Sequence, residues 1–205
     1  MFNFFLQKKF DRKELQFLIP IIICIISFFI INIFGINDIN LYSYWPRIII
    51  KEPYRIISYN FIHIDINHLL SNIFGIVIIR YCFIRLNIKN NNLFYYLIIL
   101  IIFFQAIYLY IFDVYIFSRY DYKLVGFSGI IFGSYSYLMM SSLYGSKFFF
   151  KDFIGLKKNL HIFQLMLIVL ASGMIYSLLP GISLNGHFGG MLSGVFIFYI
   201  SKGLK

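Results

Sequence analysis

The sequence has little charge, almost no alanine, no threonine and only two cysteines. Of its 205 residues, 13% are charged, about half the share of an ordinary soluble domain. That leaves too little polar surface to cover the one or two soluble domains a chain of this length could form. Disorder is excluded by an aromatic content of 21%, the opposite of a disordered composition. Cys24 and Cys82 both sit inside apolar runs, which excludes a secreted disulfide scaffold. Acidic residues are also scarce: eight, against 18 lysines and arginines, for a formal net charge of +10. In a soluble protein that excess would suggest a nucleic-acid partner. Here the basic residues fall between apolar runs, and neither a nucleic-acid motif nor a basic stripe on one face occurs. Alanine appears twice and threonine never, while isoleucine, phenylalanine and asparagine abound. This is the mark of AT-rich coding, so single apolar choices carry little information. The class that remains, with 60% hydrophobic residues, is a polytopic helical membrane protein.

Apolar runs of about 20 residues read as membrane helices. Six are expected, giving an all-α membrane bundle of six transmembrane helices. They cover about Phe17–Ile36, His63–Arg85, Leu93–Phe112, Gly126–Tyr144, Leu160–Leu179 and Leu184–Ile200. Pro180-Gly181 makes a tight break between the last two. No signal peptide is expected, because the first apolar run is long enough to span and no small-residue cleavage site follows it. The bundle domain is 17–200, between a cytoplasmic N-terminal segment (1–16) and a cytoplasmic tail (201–205).

Orientation follows from the basic residues. With the N-terminus inside, the inner side holds Lys8, Lys9, Arg12, Lys13, Arg80, Arg85, Lys89, Lys147, Lys151, Lys157, Lys158, Lys202 and Lys205, which is 13 of the 18. The outer side holds Arg47, Lys51, Arg55, Arg119 and Lys123. Both termini are therefore expected in the cytoplasm, or on the equivalent side of an organelle membrane. The outer loop from about Asn37 to Ile62 is too long for a simple connector and is expected to be partly structured.

Polar residues within a span are costly, so each needs a reason. The second run opens with His63 and continues through His68 and Asn72, which are four apart and share a helical face. The fourth opens Gly126-Phe127-Ser128-Gly129, and the sixth carries Gly186-His187-Phe188-Gly189-Gly190 and then Gly194. One serine and three histidines thus lie toward the outer ends of spans two, four and six. Gly129 with Gly133, and Gly186 with Gly190 and Gly194, form small-xxx-small series that let helix backbones approach closely. Close approach of spans four and six would bring Ser128 to His187. A serine hydroxyl needs a neighbouring base to become a nucleophile, and histidine is the usual one. Asp65, Asp113 and Asp121 fall in loops or at their edges, so the sequence offers a Ser–His dyad without an acidic third member. Asn72, a ring N–H of His68 and the unpaired backbone N–H groups at the start of the fourth helix would suit an oxyanion. Ser128 is 16 residues from Tyr144, about 24 Å at 1.5 Å each. In a core about 30 Å thick it lies several ångströms below the outer face, reached by water through a cavity. Taken one by one, each member has a plainer role: a serine bonding the carbonyl one turn back, an interfacial histidine, glycines for packing. His161 has only that role, and Gln105, Tyr135 and Tyr137 are expected to make interhelical bonds.

The joint pattern resembles the rhomboid family of intramembrane serine proteases. Its second-span motif, HxxxxHxxxN, is matched by His63, His68 and Asn72. Its fourth-span motif, GxSG, is matched by Gly126, Ser128 and Gly129. Its sixth-span motif, a histidine with glycines three and seven residues on, is matched by His187, Gly190 and Gly194. Tyr54-Arg55 stands where the family usually has Trp-Arg, and Phe132 where it often has tyrosine packed on the catalytic ring. The resemblance covers about Phe17 to Ile200 and implies a minimal, bacterial-like six-span form. It implies Ser128 as nucleophile and His187 as base, an oxyanion hole of His68, Asn72 and the Ser128 N–H, and a structural or cavity-lining His63. It also implies a single-span membrane protein as substrate and a plasma membrane location if the source is bacterial. No metal, other cofactor or nucleic acid is expected. Other readings are a non-catalytic rhomboid-like chaperone, which would usually lack the serine or histidine, a small transporter, which predicts repeats or mid-membrane charges, and a structural subunit. The oligomeric state is not legible.

Overall fold

A backbone in lipid must bond to itself, so long apolar runs become helices. The computed structural model describes residues 12–33, 39–88, 90–144 and 159–203. The α-helices among them are α1 (Leu15–Ile33), α2 (Arg55–Ser58), α3 (Ile66–Arg85), α4 (Leu93–Tyr110), α5 (Ser128–Tyr144), α6 (Leu160–Tyr176) and α7 (Leu184–Gly203). Lys8, Lys9, Lys89, Lys147, Lys151, Lys157, Lys158 and Lys205 of the charge argument lie outside the described residues.

Several boundaries differ from the sequence reading, each for a local reason. Helix α3 begins at Ile66 rather than His63 because Asp65 caps it, its Oδ1 accepting the His68 backbone N–H at 2.8 Å. Helix α5 begins at Ser128 because Gly126 has a φ of +118°, outside the helical region and open in practice to glycine alone. Helix α6 ends at Tyr176, short of the expected Leu179, where the chain turns toward Gly181 at φ +83°. The third expected span does not stop at Phe112: α4 continues from Tyr110 as a π-helix, Ile111–Ile116. Asp113, read from the sequence as a loop-edge residue, is fully buried there, and Asn185 of α7 donates to its carboxylate at 3.1 Å.

Helix α5 is the centre of the bundle. Residues 131–138 are all buried, and α3, α4, α6 and α7 pack around it, with α1 against α3 and α4. The closest approach is to α7. A Cβ on Gly190 would overlap the Gly129 carbonyl oxygen, one on Gly194 the Gly133 carbonyl oxygen, and one on Gly133 would stand 2.8 Å from the Gly190 oxygen. The glycine series therefore bring two backbones into contact.

Polarity runs opposite to that of a soluble protein. Asn60, His63, Asp113, Ser134 and Ser136 are fully buried, while Phe74, Ile99, Ile168 and Ile175 on the outer faces are each more than 60% exposed. Three helices are long and apolar enough to cross a membrane, at Arg12–Asn32, Ile66–Arg85 and Leu93–Ile116, and Leu160–Tyr176 is a shorter apolar helix. Helix α5, at 17 residues, and helix α7 fall below that standard, and they carry the serines, glycines and histidine of the bundle's interior. Arg80, the basic residue placed by the sequence inside a span, is paired twice with Glu14. The Nε–Oε2 distance is 2.5 Å and Nη2–Oε1 is 3.0 Å, the two-pronged geometry that suits a guanidinium.

The first loop is folded, as its length suggests. From Ile39 to Phe61 it holds α2 between short 3-10 turns. Tyr44 exchanges backbone hydrogen bonds with Leu124 at 2.9 and 3.1 Å. Tyr44, Ile49, Tyr59, Leu109 and Leu124 form a separate small core. Arg55 is buried and ties the loop together, donating to the carbonyls of Asn40 (2.5 Å) and Ser43 (3.0 Å) and to Glu52. The Tyr54 hydroxyl donates to the Glu52 carboxylate at 2.9 Å, and its oxygen lies 3.0 Å from the Leu41 carbonyl. These bonds, Tyr54's first and then Arg55's, hold the Glu52 carboxyl below its ordinary pKa.

Candidate active site

Ser128 is the first residue of α5, and its hydroxyl stands 2.8 Å from His187 Nε2 of α7. The glycine contacts just below hold these two helices at a fixed spacing, so the bond is set by backbone packing. The His187 ring lies flat on the Phe132 ring, with centroids 4.3 Å apart and planes 4° from parallel. Phe132 is one turn below Ser128 on the same helix. It fits because Gly173 of α6 has no side chain, and a Cβ there would meet the ring at 2.5 Å. His187 is 8% exposed and Ser128 is half-buried.

Helix α3 supplies the opposite wall. The His68 ring lies against Gly126, where a Cβ would stand 2.5 Å from its Nε2 and 3.7 Å from the Asn72 amide nitrogen. Glycine at 126 is thus required twice, by its dihedral angle and by this contact. The Gly126 N–H donates to the Tyr59 carbonyl at 2.8 Å, which fixes the turn leading to Ser128. His63 precedes α3 and is fully buried beside His68, with ring centroids 5.0 Å apart. Its Nδ1 is 3.2 Å from the Phe61 carbonyl, and its Nε2 is 2.8 Å from Asn72 Nδ2. A carbonyl can only accept, so Nδ1 carries the proton and Nε2 accepts from Asn72. That bond uses one of the two Asn72 amide hydrogens and leaves the other.

One feature near the serine was not legible. Ser177, just past the end of α6, places its Oγ 2.5 Å from His187 Nδ1. The available signal was the short Pro180-Gly181 turn, which returns the chain so that residues on either side meet. Gln105 of α4 donates to the Gly186 carbonyl at 2.9 Å and passes over Gly129, where any side chain would overlap it. This is the interhelical bond expected of Gln105. Arg55 is the exception among the singled-out residues: its bonds run to the first loop and Glu52. His161 is exposed at the start of α6. Among the described residues, no group of three or more His, Cys, Asp or Glu side chains could hold a metal ion.

No curated protein matches this chain. The family model for the Rhomboid domain matches residues 51–203, which spans α2 through α7 and contains every histidine, serine and glycine of the site. That match over most of the chain, with apolar helices turned outward and polar side chains inward, identifies an integral membrane protein belonging to the rhomboid family of intramembrane serine proteases.

Proposed function

We propose that this chain is an active intramembrane serine endopeptidase with a Ser128–His187 dyad, cutting single-span membrane proteins in or near their membrane segment. The observation behind this reading is the 2.8 Å contact of Ser128 Oγ with His187 Nε2 inside an apolar bundle. As Oγ attacks the scissile carbonyl carbon, its proton passes to Nε2 and the carbonyl electrons move onto oxygen. The oxyanion lies among the free amide hydrogen of Asn72, the His68 ring and the Ser128 backbone N–H. Collapse expels the amine, which takes the proton from Nε2 and leaves an acyl-serine. Water then repeats the sequence and frees Ser128. No step requires a cofactor or nucleic acid.

In this reading the six longer helices all cross the bilayer and 17–200 is the catalytic unit, with 1–16 and 201–205 in the cytoplasm. The 13-to-5 division of basic residues supports that orientation, and in a bacterium the membrane is the plasma membrane. With Cys24 and Cys82 replaced, a cysteine label at Lys205 is expected to react only after the inner face is opened. Reaction from outside in sealed cells would reverse the orientation and the depth of Ser128.

Asn72→Ala is expected to lower kcat by about 10²–10³ with little change in KM, because the donor acts on charge that develops in the transition state. A purely structural amide in a membrane is worth about 0.6 kcal/mol. Cleavage and thermal unfolding of the variant separate the two. Lost turnover with an unchanged melting temperature supports the oxyanion role. Normal turnover per folded molecule with lowered melting would remove Asn72 from the site.

A further inference from the structure

We propose that Ser177 is a positioning residue that fixes the protonation of His187, doing with a neutral hydroxyl what a carboxylate does in a catalytic triad. The proposal rests on the dyad reading above. A serine hydroxyl has one proton to give and two lone pairs to receive. Ser177 is 2% exposed, and its Oγ has two partners: the Gly173 carbonyl oxygen at 2.7 Å and His187 Nδ1 at 2.5 Å. The Gly173 oxygen can only accept. With the Ser177 proton on it, Nδ1 must carry hydrogen and donate to Ser177 Oγ. Nε2 is then the ring's lone-pair nitrogen, and it faces the Ser128 hydroxyl at 2.8 Å. The four groups form one directed chain, from Ser128 O–H to Nε2, from Nδ1–H to Ser177 Oγ, and from Ser177 O–H to the Gly173 carbonyl.

The opposite arrangement, Ser177 donating to Nδ1, would place a proton on Nε2 and leave the ring no lone pair for Ser128. Ser177 therefore selects between a base and a non-base. When the Ser128 proton arrives on Nε2, the ring becomes a cation and the Nδ1–H···Oγ bond strengthens without any proton leaving Nδ1. Charge is balanced within the dyad, and the Nε2 proton later goes to the departing amine. Asp113, the buried carboxylate of the same bundle, is engaged with Asn185. Gly173 does two things for this ring: it makes room for Phe132 beneath the imidazole and ends the hydrogen-bond chain beside it.

The direct test is ¹⁵N NMR of histidine-labelled wild-type protein in detergent, with His187 assigned by loss of its signal in His187→Gln. We expect the resting ring to carry its proton on Nδ1; a proton on Nε2 overturns the proposal whatever the activity is. In Ser177→Ala the Nε2–H form should rise, and kcat should fall roughly 10- to 100-fold with KM unchanged, less than the about 10⁴ lost with a charged orienting group. Fluorophosphonate labelling of Ser128 should slow by a similar factor, and Ser177→Thr, which restores a hydroxyl, should recover both. Ser177→Ala with wild-type labelling rate and tautomer overturns the proposal. So does a drop in melting temperature that accounts for all of the lost activity. Failure of the dyad itself would show separately, as cleavage that survives Ser128→Ala.

Discussion

Ser128→Ala and His187→Ala are each expected to reduce cleavage of a single-span reporter in liposomes by roughly 10³–10⁶, with the helical bundle intact. The magnitude is that of other serine–histidine systems, where either partner alone is nearly worthless. The physical reason is the 2.8 Å contact between Oγ and Nε2. Without the ring, the hydroxyl keeps its proton at neutral pH. Without the hydroxyl, the ring has nothing to activate. The double variant should be no worse than either single one, because the two groups act as a unit. Labelling by a fluorophosphonate adds an independent reading: it should mark Ser128 and vanish in His187→Ala. Near wild-type cleavage by Ser128→Ala would sink the assignment.

The second large effect comes from atoms that touch no substrate. Gly194→Ala and Gly190→Ala each push a methyl group into a backbone carbonyl of α5, at Gly133 and Gly129 respectively. A carbonyl cannot rotate aside as a side chain can, so the helices must part by about 1 Å or more in an interior packed at crystal density. Overpacking of this kind costs about 1–3 kcal/mol. Gly129 directly follows Ser128, and Gly190 is three residues after His187, so the same separation stretches the dyad. A misplacement near 1 Å costs about 10² in rate. Gly190→Ala is expected to lower both the melting temperature and the activity per folded molecule. The control is Leu192→Ala, on the exposed face of α7, which should leave both nearly unchanged. Wild-type melting and full activity in the two glycine variants would show that the helices are not held by this contact.

Much of this was legible because membrane sequences separate their signals so sharply. Composition alone gives the class, and the positions of the helices follow within a few residues. Ser128, His187, His68 and Asn72 stand out because polar groups in apolar runs are few. What was illegible depends on where the chain turns. His63 reads as the first residue of a span, yet Asp65 caps the helix after it, which frees His63 to pack beside His68 and hold Asn72. The sequence ends the third span near Phe112, but a π-helix carries it on and buries Asp113 against Asn185, a pairing that joins residues 72 apart. Ser177 was invisible for a similar reason: a serine near a helix end is commonplace, and only the return of the chain at Gly181 puts it on the far nitrogen of His187. The glycine series were readable as close contacts, but which carbonyl each one meets required the register of two helices.

The flat stack of His187 on Phe132 has a consequence for the order of events. An imidazole pinned on one face and bonded at both nitrogens has no freedom to swing between two positions. The proton taken from Ser128 must then be handed on from the same nitrogen, along nearly the same direction. In the proposed mechanism, attack and departure would consequently occur at one edge of one ring, and a peptide bond would be cut only if its nitrogen turns toward that edge once the carbonyl carbon is captured. In an extended segment this follows from the alternation of the backbone, whereas in an intact helix the nitrogen's neighbours and its hydrogen-bonded carbonyl block the approach. Selection among membrane segments would in this way begin with local unwinding, a demand made by the stationary ring before any side chain is read.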